Sequence, residues 1–60
     1  MNLKYIRNKK GLTIQELSEK TGVSRGMITL IEKGYKNYKR VTIWKIANAL
    51  GVDAKEIENE

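Results

Sequence analysis

The sequence contains no cysteine, no histidine and no proline. Without cysteine there is neither a disulfide staple nor a thiolate metal site. Without histidine the commonest general base and the commonest zinc ligand are missing. The remaining side chains offer no nucleophile–base set and no metal-ligand cluster, so the expectation is no enzyme, no metal and no cofactor. No apolar run approaches the ~20 residues of a membrane span, and no signal-peptide pattern follows Met1. A soluble, cytoplasmic chain without membrane or small-molecule partners is expected. Strand-like alternation, low-complexity tracts and internal repeats are also absent. The 60 residues suffice for one domain with a modest core. Its stability must come from packed helices, aided by dimerisation.

Charge is present but uneven. Residues 1–45 hold eleven of the twelve Lys/Arg and three of the seven acids, a balance of +8. Residues 46–60 hold Lys55 against Asp53, Glu56, Glu58 and Glu60, a balance of −3. A basic region of this kind suits a polyanion. A lysine-rich solvated surface is the plainer explanation, and charge alone does not choose between them.

The stretch from Thr13 to Gly34 organises the rest. Thr13 and Glu16 have the spacing of a capping box opening a second helix over 14–20, anchored by Leu17. Gly22 stands where a positive φ turns the chain, and Ser24 is a suitable N-cap for a third helix over 25–33 that Gly34 stops. Helical spacing lets Leu17, Val23, Ile28 and Ile31 meet inside and leaves Arg25, Gly26, Thr29 and Leu30 outside. A short Gly-containing turn followed by an exposed helix has the dimensions of a major-groove reader.

Before this stretch, a first helix over 2–10 takes Asn2 as its N-cap and Leu3 and Ile6 as its inward stripe, with Gly11 stopping it and Leu12 tucked into the core. Arg7 falls at the edge of that stripe; if buried, it requires an acid. After it, residues 35–40 form a polar loop in which Lys36, Lys39 and Arg40 can reach phosphates and Asn37 and the tyrosine hydroxyls can add neutral hydrogen bonds. Tyr35 and Tyr38 fit packing on the core equally well. Residues 41–50 read as a fourth helix with Ile43, Ile46, Ala47 and Leu50 inward. Trp44 on its flank is either core, the reading favoured here, or a dimer surface. Asp53 and Glu56 suggest another capping box, opening a fifth helix from Ala54 to about Asn59 with Ile57 inward. Glu58 and Glu60 sit poorly near a helix C-terminus, which should fray.

The segments LKYIRNKKGLTIQELSEKTGVSRGMITLIEKG and TIWKIANALGV together resemble the helix-turn-helix family of phage repressors and Cro proteins, the XRE family. The resemblance runs from about Leu3 to Ile57. It implies an all-α, compact five-helix bundle, a lambda-repressor-like DNA-binding domain spanning 1–60 with its helix-turn-helix at about 14–33. It also implies a transcriptional regulator, bacterial or phage-encoded and nucleoid-associated, that binds operator double-stranded DNA as a homodimer on a palindromic site and acts as a repressor. An Arg of helix 1 often pairs with a Glu of helix 3 in this family, matched here by Arg7 and Glu32. Base-reading positions correspond to Arg25, Gly26 and Leu30, with Met27 and Thr29 beside them. Arg25 suits guanine O6 and N7; Leu30 and Met27 suit a thymine methyl or packing on protein. Phosphate contacts are assigned to Thr13, Gln15, Ser24, Lys33, Lys36, Asn37, Tyr38, Lys39 and Arg40. The chain departs from the family with Ile14 where Gln is frequent, with Tyr38 in place of Pro, and with Arg40 where an apolar residue is usual. The last departure suggests a shifted register in which Val41 packs instead. A protein-interaction module, such as an antitoxin or adaptor, is the alternative. With no effector domain expected after helix 5, control would fall to protein level, a partner or a competing regulator.

Overall fold

The computed structural model describes residues 2–58. Its elements are α1 (Leu3–Lys9), α2 (Ile14–Thr21), α3 (Arg25–Glu32), α4 (Arg40–Leu50) and α5 (Ala54–Glu58), with no strand among the described residues. The all-helical architecture is the one expected, with helix ends displaced by at most one residue. Asn59 and Glu60, expected at the frayed end of α5, lie outside the described residues.

Local chemistry explains most boundaries. At the start of α2, Thr13 Oγ1 accepts the Glu16 N–H at 3.0 Å, and Glu16 Oε1 accepts the Thr13 N–H at 2.9 Å. Both halves of the capping box are therefore made, satisfying two donors that a helix start leaves open. At α5 only one half forms. Glu56 Oε2 accepts the Asp53 N–H at 2.9 Å, whereas the Glu56 N–H turns to the Asp53 backbone carbonyl at 3.0 Å. Asn2 precedes α1 but its side chain does not cap it. Instead its Nδ2 donates to the Glu56 carbonyl at 3.3 Å and its N–H to the Ile57 carbonyl at 3.0 Å. The start of the fold is thus fastened to its last helix, a tie with no local sequence signal.

Every helix sends side chains to one core. Leu3, Leu17, Ile28, Ile31, Ile46 and Ile57 are fully buried, and Val23, Ile43, Ala47 and Leu50 complete the cluster. Ile6 and Leu12 pack against it half-buried. α2 lies between α3 and α4, α1 rests on α3 and α5, and α4 meets α5.

Two expectations about α4 are corrected. Trp44 is 61% exposed and Val41 52% exposed, so neither belongs to the core. Ile43, Ile46, Ala47 and Leu50 already fill the inward stripe. At about 100° per residue, Trp44 is turned a quarter of the way round from Ile43 and Val41 faces nearly opposite. Arg40 opens the helix without displacing this register.

The expected Arg7–Glu32 pair is present and buried. Arg7 Nε donates to Glu32 Oε2 at 2.7 Å and Nη2 to Oε1 at 3.4 Å, with both side chains under one-tenth exposed. The remaining arm, Nη1, donates to the Leu12 carbonyl at 2.8 Å. One guanidinium therefore joins α1, the α1–α2 link and the last turn of α3. Removing one partner strands the other charge, so Glu32→Ala should cost ~3–5 kcal/mol in urea or thermal unfolding. That is most of the stability a domain of this size commands. An unchanged midpoint would show the pair to be dispensable.

Candidate nucleic-acid interface

Hydrogen bonds between the last turn of α2 and the turn at residues 21–23 fix the path from α2 to α3. Gly22 adopts φ 76°, a left-handed conformation that only glycine takes at little cost, and its N–H closes onto the Ser18 carbonyl at 2.8 Å. Ser18 Oγ donates to the Val23 carbonyl at 2.6 Å, and Thr21 Oγ1 donates to Leu17 O at 2.7 Å while accepting the Val23 N–H at 3.1 Å. Val23 is buried by this wrap. The roles of Ser18 and Thr21 were not expected; a hydroxyl four residues before a turn is a recurrent but unspecific signal.

α3 then starts on Ser24, whose Oγ accepts the Met27 N–H at 3.1 Å. Its inward residues Ile28 and Ile31 are fully buried. Arg25, Gly26 and Leu30 are exposed, as the spacing suggests, whereas Thr29, expected outside with them, is half-buried. Met27, grouped with the base-reading positions, is half-buried and packs against the core. It therefore does not share the outer face equally with Arg25 and Leu30. Arg25 makes no ion pair among the described residues.

The two helix starts differ electrically. The first turn of α2 carries Glu16, and its capping box already uses the backbone N–H of Thr13, one of the residues expected at phosphate. The hydrogen bonds from the Thr13 backbone and side chain hold the Glu16 carboxyl below its usual value, so its negative charge persists there. The first turn of α3 carries no acid, and its positive macrodipole end is uncompensated by a carboxylate. Anions are thus better received at Ser24 than at Thr13. Gln15, like Ser24, is exposed.

Beyond α3, Lys33, Lys36, Asn37, Lys39 and Arg40 are all exposed along the connector into α4. Tyr38 is half-buried against the core and gives its hydroxyl proton to Glu58 Oε2. Its proton is therefore directed to a carboxylate rather than outward to a phosphate. Glu58 lies with Lys36, Tyr38 and Arg40 around one shallow cleft. The acidic end of the chain thus folds back onto the basic loop, a proximity that segment-by-segment charge counting does not reveal. Tyr35 is 37% exposed.

A helix anchored in the core by Leu17, a tight hydrogen-bonded turn about Gly22 and a second helix with its Arg25 face exposed are the parts of a helix-turn-helix. The helix-turn-helix family model matches residues 3–57, and the chain belongs to this family, among its XRE-type transcriptional regulators. It is 34% identical over 56 residues to an HTH-type transcriptional regulator of Sinorhizobium fredii, covering 93% of this chain and 73% of that one. It is 42% identical over 55 residues to one from Methanocaldococcus jannaschii, covering 92% and 83%. Over 50 residues it is 40% identical to the HTH-type transcriptional regulator SutR of Escherichia coli, covering 83% of this chain but 28% of SutR. No solved structure matches. No helix among the described residues is long and apolar enough to cross a membrane.

Partial burial, and then the hydrogen bond and charge of Glu58, push the Tyr38 hydroxyl up to about 12. Because the folded value lies above the ordinary one, the contact contributes fully below about pH 10 and is lost as pH rises through about 12. Ultraviolet titration should show one tyrosine ionising near pH 12. That step should vanish in Tyr38→Phe and move down in Glu58→Gln.

Proposed function

We propose that residues 1–60 act as one sequence-specific, double-stranded DNA-binding domain of a transcriptional repressor, with the helix-turn-helix at about 14–33. α3 enters the major groove, its Arg25 end aimed at base edges. Lys33, Lys36, Lys39 and Arg40, with Asn37, Gln15 and the hydroxyls of Thr13 and Ser24, hold phosphates and set orientation. The observation that carries this reading is the outer face of α3, where exposed Arg25, Gly26 and Leu30 follow an acid-free helix start beside a basic connector. Enzymatic activity has no support in the residues present, and nothing in the reading requires a cofactor.

Replacing Arg25 by Ala should cost ~1–3 kcal/mol of binding to a duplex selected from random DNA and should relax one base preference. Wild-type affinity should also fall steeply with added salt as counterions are released. If Arg25→Ala left both affinity and preference intact, α3 would not be the reader.

Homodimerisation on a palindromic operator is part of the same proposal. It is supported by the exposed Val41 and Trp44, which flank a groove shared with Tyr38, Ile43 and Ala54 and rimmed by Arg40 and Glu58. Opposite charges on one rim are what a two-fold axis can set against each other. The same apolar face favours the second reading, docking of a different protein. Sedimentation of wild type and Trp44→Ala, alone and on DNA, should show a two-to-one complex that weakens in the variant. Unchanged stoichiometry and affinity would exclude this face.

A further inference from the structure

Gly26 is the unusual glycine of this chain. Gly11, Gly22, Gly34 and Gly51 all have positive φ, so their backbones account for them. Gly26 lies inside α3 with ordinary helical φ, and a Cβ built on it would meet nothing within 4 Å. Neither conformation nor packing calls for glycine there, and a helix loses stability by carrying one. One turn further along the same face, Leu30 is 45% exposed, a large apolar side chain outside the core. A bare strip of backbone and an apolar knob therefore stand side by side, beyond Arg25 and within reach of a basic connector.

The complement of this surface is a polyanion carrying a small apolar group at close range. Within a duplex, the major-groove group that fits is the C5-methyl of thymine. We propose that Gly26 and Leu30 form a seat for a thymine methyl, with Gly26 permitting the close approach and Leu30 making the contact. The inference rests on the DNA-reading function above and deepens it by naming the base.

The test uses the full chain and the duplex recovered by selection from random DNA, remade with deoxyuridine replacing one thymidine at a time. This exchange removes only the methyl. Wild type should lose about fourfold in affinity at one or two positions per half-site, the value of one buried methyl group. Leu30→Ala should bind thymine and uracil duplexes alike. Gly26→Ala should melt at or above the wild-type temperature, yet bind roughly tenfold more weakly, about the cost of one mismatched pair. Wild type indifferent to uracil everywhere, a methyl effect undiminished in Leu30→Ala, or full affinity in Gly26→Ala would each overturn the seat while leaving DNA reading in place. Selection that enriched no sequence would remove the DNA-reading proposal and the seat together.

Discussion

The buried guanidinium of Arg7 is the constraint on which the rest depends. A 60-residue chain buries only a modest apolar core, and non-directional packing leaves the orientation of five short helices loosely specified. All three nitrogens of the Arg7 guanidinium are engaged in structure: Nε and Nη2 on Glu32 and Nη1 on the Leu12 carbonyl. Desolvating two charges is expensive, and an apolar pair of the same shape can be as stable. What an apolar pair would not supply is direction. The fork geometry fixes the last turn of α3 against α1, while the Ser18–Thr21–Val23 bonds fix its first turn against α2. α3 is thereby held at both ends by directional bonds, with its apolar stripe inward and its other face left to solvent.

Much of this was legible beforehand because it is written locally. The Thr13/Glu16 box, the Ser24 cap and Gly22 each act within four residues, where sequence spacing is spatial spacing. The inward stripe of α3 and the core residues of α4 follow from helical period alone. The Arg7–Glu32 pair, 25 residues apart, was legible only through family resemblance. What escaped was long-range and polar: the Asn2 tie to α5 and the Tyr38–Glu58 bond. Trp44 was misplaced for a different reason. Bulk and hydrophobicity favour burial, yet an inward stripe already filled by four residues leaves no angular room for it. At the candidate interface, the outward placement of Arg25, Gly26 and Leu30 was legible, and the inward lean of Met27 was not. Thr13 was readable as a cap but not as one whose carboxylate partner makes its helix start less hospitable to anions.

Electrostatics in this molecule is a matter of folding as well as composition. The chain divides into a basic stretch and an acidic tail, but Glu58 returns to the basic connector and engages Tyr38 there. The result is a basic rim interrupted by a carboxylate. A carboxylate set into a basic rim weakens the local attraction for a polyanion relative to an all-basic rim.

The bonds from Asn2 to the carbonyls of Glu56 and Ile57, at 3.3 and 3.0 Å, join the start of α1 to α5. The first and last helices of the described bundle are therefore coupled in opening: α5 cannot detach without releasing two donors at the start of α1.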